Sequence, residues 1–318
     1  MARVVLESVD RAIVQALELD GRAPFRLIGD VLGVSESTVA RRYRRMRAAG
    51  VLRVVGSANG MLLGYTSWTL RIRCMPDAAN AIAAALARRP DTYWVHVLSG
   101  GTEISCNLQA RNDAERDVLL MDTLPRTSRV LDVSAHALLG GAGTGWGGLD
   151  ELTDDQVDQL RRPAPEPAPV QLTEHDRALL AVLARDGRTT VADLAAITAW
   201  SESSLRRRIE LLRHHGVLVL DVDLPAAAIG HRGEARLWIT VAPAQLMAVA
   251  QALGRHPETS FVGITTGPTN VVAAVVCRDN ADLLRYLTER VSPLPGIHSV
   301  ETAPVIRTVK RAGAPLPR

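Results

Sequence analysis

LESVDRAIVQALELDGRAPFRLIGDVLGVSESTVARRYRRMRAAGVL, residues 6 to 52, recurs without a gap as LTEHDRALLAVLARDGRTTVADLAAITAWSESSLRRRIELLRHHGVL, residues 172 to 218. Seventeen of the 47 aligned positions are identical. They include Asp10 with Asp176, Asp20-Gly21-Arg22 with Asp186-Gly187-Arg188, Ser35-Glu36-Ser37 with Ser201-Glu202-Ser203, and Arg41-Arg42 with Arg207-Arg208. A period of 166 residues is far longer than a solenoid unit and reports duplication of a domain or domain pair. The register continues at Gly64 and Gly230. After a one-residue shift, Pro90, Gly100, Thr102, Arg111 and Val133 pair with Pro257, Gly267, Thr269, Arg278 and Val300. The chain reads as two copies of a module of about 135 residues.

Within each copy the first fifty residues carry the helical period. Ile13, Val14 and Leu17 lie one turn apart, Asp20-Gly21-Arg22 breaks the run, and a second short helix around Phe25 to Leu32 stops at Gly33. Ser35 is placed as the N-cap of a third helix reaching about Ala49, with Gly50 as its C-cap and an extended segment beginning at Val51-Leu52. Two helices joined by a tight turn, the second rich in Arg, form a helix-turn-helix pattern. On a helical wheel Val39, Tyr43 and Met46 face inward, Ser37, Arg41, Arg44 and Arg45 point away, and Thr38 and Arg42 flank them. Arginine there can clamp phosphate or reach guanine, and hydroxyls can contact phosphate or a base edge. A solvated surface helix is the bland alternative. The matching candidates in the second copy are Ser203, Ser204, Arg207 and Arg208.

After each helical block the period changes to alternation. The order strand, helix, strand, strand, helix, strand runs from Trp68 to Leu138, and again from Ala235 to Ile306. The expected fold class is α+β: two winged or three-helix helix-turn-helix domains, each followed by a ferredoxin-like βαββαβ sandwich. The expected boundaries are 1–60 and 61–139 for the first copy, a linker at 140–171, 172–230 and 231–309 for the second, and a tail at 310–318. In the linker, Gly140 to Gly148 reads as flexible, Thr153 to Gln156 as a capping box opening a short acidic helix, and Pro163 to Pro169 as a stiff spacer.

Composition narrows the classes. No apolar run approaches a membrane span, and the N-terminus lacks a secretory signal, so a cytoplasmic protein with no membrane association is expected. Cys74, Cys106 and Cys277 have neither zinc nor disulfide spacing, and no metal or cofactor is expected. Net charge is +4 over residues 1–60 but −1 over 172–230. One lysine, Lys310, among 37 basic residues points to a coding bias, so arginine content alone says little about nucleic acid. Gly143 to Gly148 matches G-x-G-x-x-G, but the helix after it leads into a proline-rich linker rather than back to a parallel strand, which argues against a dinucleotide site.

The ordered set Asp10-Arg11, Asp20-Gly21-Arg22, SESTVARR from Ser35 to Arg42 and Gly50-Val51-Leu52, repeated through SESSLRRR from Ser201 to Arg208, resembles the Lrp/AsnC (feast/famine) family of transcription regulators. That resemblance implies a non-enzymatic regulator that binds double-stranded DNA and senses a small molecule of the amino-acid class. It also implies homo-oligomers through the ferredoxin-like domains. The family's Gly-x-x-Asp turn falls on Gly100, Thr102 and Glu103, and on Gly267, Thr269 and Asn270, which makes these the candidate effector residues. Glu103 keeps a carboxylate for an ammonium group. Asn270 has lost the charge. The siroheme decarboxylases, built from similar modules, are the alternative. Here the chain offers Tyr93, Trp94 and His96, against Ser260, Phe261 and Gly263 in the second copy.

Overall fold

Each helix-turn-helix is opened by side chains that cap its helices. The computed structural model describes residues 6–144, 148–311 and 313–315. In the first copy Glu7 and Asp10 form a capping box that opens α1 (Ser8–Leu19). Helix α2 (Phe25–Leu32) ends at Gly33, whose φ of 67° suits a residue without Cβ. Ser35 Oγ accepts the Thr38 amide at 3.2 Å and opens α3 (Glu36–Ala48). Strand β1 (Arg53–Ala58) follows, then β2 (Thr66–Cys74), α4 (Ala79–Arg88), β3 (Thr92–Leu98), β4 (Glu103–Ala110), α5 (Asp113–Asp117) and β5 (Val130–Thr144). A connecting helix, α6 (Asp154–Leu160), starts at the Thr153–Gln156 capping box. The second copy supplies α7 (Glu174–Leu183), α8 (Val191–Thr198), α9 (Glu202–His214), β6 (Leu218–Asp223), β7 (Gly233–Val241), α10 (Leu246–Gly254), β8 (Thr259–Thr265), β9 (Val271–Cys277), α11 (Asn280–Arg285) and β10 (Ile297–Arg311). The fold class is the one the sequence implies.

These elements sort into two units, Met1–Gly64 with Leu149–Ile229, and Tyr65–Gly148 with Gly230–Arg318. In the first, the two helix-turn-helix segments are joined by β1 and β6, which pair antiparallel with Arg53 opposite Asp223 and Ala58 opposite Leu218. The duplicated Asp-Gly-Arg motif makes the same contacts in both directions. Arg22 donates to Gly187 O and Thr189 O at 2.7 and 3.0 Å, and Arg188 donates to Gly21 O and Ala23 O at 2.8 and 3.0 Å. Arg47 pairs with Asp186 at 2.6 Å, and its counterpart Arg213 pairs with Asp20. A Cβ on Gly21 or Gly187 would come within 2.9 Å of the Leu220 side chain, so close approach is what requires glycine there.

The connector is an integral part of this unit, which corrects the expected linker. Glu151 N and Leu152 N both donate to Gln15 Oε1, Glu151 pairs with Arg11 at 2.6 Å, and Gln156 Nε2 reaches Val31 O at 2.9 Å. Leu149, Leu152 and Leu160 are buried. Further on, Glu166 N donates to His214 O at 2.8 Å, so the Pro163 to Pro169 stretch is a docked strap rather than a free spacer. Among the described residues no hydrogen-bond or ion-pair partner stabilises the Glu18 anion on α1, and burial pushes its carboxyl up to about 8. The fold therefore favours the protonated form. That contribution is complete below the ordinary value of 4.5 and is lost as pH rises through about 8. Glu18→Gln is expected to raise Tm by roughly 5 °C at pH 9 and to change it little at pH 5. Equal shifts at both pH values in thermal melts would contradict this.

In the second unit the long strands exchange partners. Strand β5 pairs with β2 up to Ala137 and with β8 from Leu138 to Thr144. Strand β10 pairs with β7 from Ile297 to Pro304 and with β3 from Val305 to Lys310. The eight strands thus close in the order β3-β4-β2-β5-β8-β9-β7-β10, which leaves no long free edge in the ring. Two expectations are corrected here. Gly140 and Gly141 do not begin a linker, because they pair with Ile264 and Gly263 in β8. Lys310 does not begin a disordered tail, because it is buried in β10, with Nζ donating to Arg89 O at 2.6 Å and Thr92 Oγ1 at 3.2 Å. The G-x-G-x-x-G match falls partly on residues 145–147, which lie outside the described residues, and its first two residues end an antiparallel strand.

Alternation sends Leu70, Ile72, Val95, Val97, Ile104 and Cys106 to one apolar core, and Leu237, Ile239, Val262, Val271, Ala273 and Val275 to another. The opposite faces differ in character. In the first copy that face carries Arg71, His96 and Glu103, and in the second Trp238, Val272 and Ala303. The three cysteines are free and buried. No helix among the described residues is long and apolar enough to cross a membrane.

Candidate nucleic-acid interface and ligand cavity

Helix α3 buries Val39, Tyr43 and Met46 and exposes Ser37, Arg41, Arg44 and Arg45, with Thr38 and Arg42 half-buried. This is the orientation given by the wheel. The charges are less uniform than the sequence implies. Arg42 donates to Glu7 and Asp10 at 2.8 and 3.1 Å, and Arg45 donates to the other Asp10 oxygen at 2.5 Å. The Asp10 side chain is fully buried, so these two guanidiniums neutralise it. Among the described residues, Arg44 bonds only to Ala40 O, at 3.1 Å, and Arg41 has no hydrogen-bond or ion-pair partner. Ser37, Arg41 and Arg44 together line an open depression. The free cationic surface is therefore Arg41 and Arg44.

Helix α9 repeats the scaffold. Ser201 Oγ caps Ser204 N at 3.3 Å, and Arg208 holds buried Asp176 through two hydrogen bonds of 2.7 Å. Burial pushes the Asp176 carboxyl up, but hydrogen bonds from Arg208 and Thr173 outweigh it and lower the net value. Ser203 and Arg207 are exposed, and Ser204 is half-buried. At the position of Arg44 stands Glu210, paired with Arg162 of the connector at 2.8 Å, and at that of Arg45 stands Leu211, which is partly exposed.

In the second unit a cavity of about 640 Å³ is lined by Arg71, Arg73, Cys74, Thr102, Glu103, Asp132, Ser134 and Glu301, among others. It gathers Thr102 and Glu103 from the first turn, with Gly100 at φ 72° beside them. Glu103 is buried and paired with Arg71, which also pairs with Glu301 at 2.6 Å and lies 4.3 Å over the Trp238 ring. The carboxylate expected to stand open is thus already neutralised. Arg73, Asp132 and Ser134 were not singled out in the sequence, although period-two alternation puts Arg73 on the same face as Arg71. Arg73 and Asp132 are exposed, and they lie opposite each other on β2 and β5.

The equivalent turn of the second copy is filled. Asn270 Oδ1 accepts Val241 N and Asn270 Nδ2 donates to Val241 O, both at 2.8 Å. A Cβ on Gly267 would overlap the His136 ring, whereas one on Gly100 would meet nothing within 4 Å. Thr269 O accepts Thr265 Oγ1 at 3.0 Å. The structure gives one open turn and one closed turn.

Paired helix-turn-helix segments combined with paired βαββαβ sheets define a helix-turn-helix regulator of transcription. A model of the AsnC-type helix-turn-helix domain matches residues 6–47 and 172–213, and a model of the Lrp/AsnC ligand-binding domain matches residues 234–315. An uncharacterized helix-turn-helix-type transcriptional regulator of Pyrococcus abyssi is 34% identical over 146 residues, covering 45% of this chain and 91% of that protein. The regulator FL11 of Pyrococcus horikoshii is 28% identical over 142 residues, covering 44% and 93%. The chain belongs to the Lrp/AsnC family, with its helix-turn-helix present twice. Along nearly its whole length it shares a fold with the siroheme decarboxylase NirDL, with a TM-score of 0.63, 15% identity, and coverage of 96% of this chain and 93% of that one.

Proposed function

We propose that the chain regulates transcription by binding double-stranded DNA through α3, with a weaker contribution from α9, under the control of one small zwitterion of the amino-acid class. The observation that carries the DNA reading is the pair of exposed guanidiniums, Arg41 and Arg44, that have no carboxylate partner among the described residues, on a capped helix where Arg42 and Arg45 hold buried Asp10 and Arg47 pairs with Asp186. Ser37, Thr38, Ser203, Ser204 and Arg207 would add contacts to phosphate or base edges. Binding to genomic fragments, followed by fluorescence anisotropy across a salt titration, tests it. Affinity should fall steeply with salt through counterion release, and a flat response would contradict it.

The cavity supports the effector reading because it offers both signs of charge. Arg73 would take a carboxylate and Asp132 an ammonium group, while Glu103 and Glu301 hold Arg71 in place. The ammonium role read for Glu103 in the sequence therefore passes to Asp132. Calorimetry with amino acids should give one ligand per chain, and Arg73→Ala should weaken binding by about tenfold or more. Two equivalent sites per chain would overturn this assignment. Single-copy members of the family are expected to pair sheets between chains. Here the closed ring makes that pairing internal, so one chain would stand for a dimer, and further homo-oligomers would form through outer surfaces of the ferredoxin-like domains.

One observation favours a second reading. The full-length fold likeness to a siroheme decarboxylase suggests a tetrapyrrole enzyme. His96, its best candidate, is buried and hydrogen-bonded to Thr308 at 3.0 Å and Arg236 at 2.5 Å. Saturable absorbance changes on titration with siroheme would favour the enzyme, and none would favour the regulator.

A further inference from the structure

Identical chains that dimerise present the same reading helix twice, and a two-fold protein matches a palindromic operator. Duplication within one chain removes that constraint. The two helix-turn-helix segments here are joined in one unit by β1 and β6 and by the reciprocal Arg22 and Arg188 contacts, so α3 and α9 act as a pair. Their reading faces are only partly alike. Ser37 matches Ser203 and Arg41 matches Arg207, all exposed. The faces differ where Ala40 matches Arg206, Arg44 matches Glu210 and Arg45 matches Leu211.

The differences change chemistry. Arg44 is an exposed cation that can clamp a phosphate or reach O6 and N7 of guanine. Glu210 is an anion, which repels phosphate and among base edges suits only the cytosine amino group. It is also held by Arg162 at 2.8 Å and Arg213 at 3.5 Å, so the second helix loses a cation and its replacement is tethered to the connector. Arg206 is itself paired with Glu202 at 2.9 Å and does not restore the missing charge.

We infer that the operator of this protein is a directional site. Its two half-sites share the bases beneath Ser37-Arg41 and Ser203-Arg207 and differ beneath Arg44 and Glu210, so the protein binds in one orientation. The inference rests on the DNA-binding reading above. Selection of bound sequences from a random double-stranded pool, run with the full chain and with Glu210→Arg/Leu211→Arg, tests it. The wild-type chain should select unequal half-sites, and the double variant should select a more symmetric site. The variant should also bind a perfect palindrome of the Arg44-side half-site about tenfold more tightly than the wild type, the value of one charge-assisted contact. Glu210 is more than half exposed and Leu211 partly exposed, so the substitutions should not impair folding. Glu210→Gln, which removes the charge at constant shape, should give an intermediate gain. A symmetric wild-type consensus would overturn the directional site while leaving DNA reading intact. Failure to enrich any sequence would overturn DNA reading as well.

Discussion

Arg41→Ala combined with Arg44→Ala is expected to lower operator affinity by about 100-fold or more at fixed salt. Each guanidinium is exposed and, among the described residues, free of a carboxylate partner, so its bonding capacity is available to DNA. A hydrogen bond to a charged group contributes roughly 1.5 to 3 kcal/mol, and two such contacts account for the loss. If both arginines lie on phosphates, the slope of log affinity against log salt should become shallower by about 1.8. Arg207→Ala should cost about tenfold at most, because the other arginines of its helix are ion-paired and the next outward position is Glu210. Arg42 and Arg208 are unsuitable for the comparison. Each neutralises a buried aspartate, and removing one partner of such a pair destabilises the fold by about 3 to 5 kcal/mol. An Arg207→Ala loss equal to that of the double variant, or an unchanged salt slope, would refute the assignment of the free charges.

The helix-turn-helix was legible because its determinants are local. Ser35, Gly33 and the inward triad Val39, Tyr43 and Met46 lie within fourteen residues of one another, and the helical period alone orients them. What could not be read depends on partners far along the chain. Arg42 looks like a DNA contact until Asp10, 32 residues earlier, is seen beneath it. Glu103 looks like an open carboxylate until Arg71 is placed on the neighbouring strand. Gly140 and Gly141 look like the start of a flexible linker, yet strand β8 takes up their backbone groups more than 120 residues later. The Asp-Gly-Arg repeat was the clearest identity in the sequence and the least interpretable. Each copy satisfies the other, and a single copy has nothing to show for it.

That mutual arrangement makes Arg22→Ala with Arg188→Ala a severely damaging change outside the reading helices. The two half-buried guanidiniums donate to four backbone carbonyls, of Gly187, Thr189, Gly21 and Ala23. A buried acceptor left without its donor costs about 1 to 3 kcal/mol. Three of the four, on Gly21, Ala23 and Gly187, belong to buried residues, and their combined cost reaches the lower end of the roughly 5 to 15 kcal/mol that stabilises a whole domain. The helix-turn-helix unit should lose about 15 °C or more in Tm, and amide exchange in β1 and β6 should accelerate. DNA affinity should fall by at least 100-fold even below the new Tm, because unpaired half-sites lose the effective concentration that linkage gives them. Arg22→Lys with Arg188→Lys should recover part of the stability, since an ammonium group reaches one carbonyl but lacks the planar fork for two. Gly187→Val reaches the same interface by a different route, driving a side chain into Leu220 and Val54. If calorimetry and exchange show Gly187→Val and the double alanine variant to be as stable as the wild type, the two helix-turn-helix segments do not depend on each other, and their pairing cannot be what positions α3 and α9 on DNA.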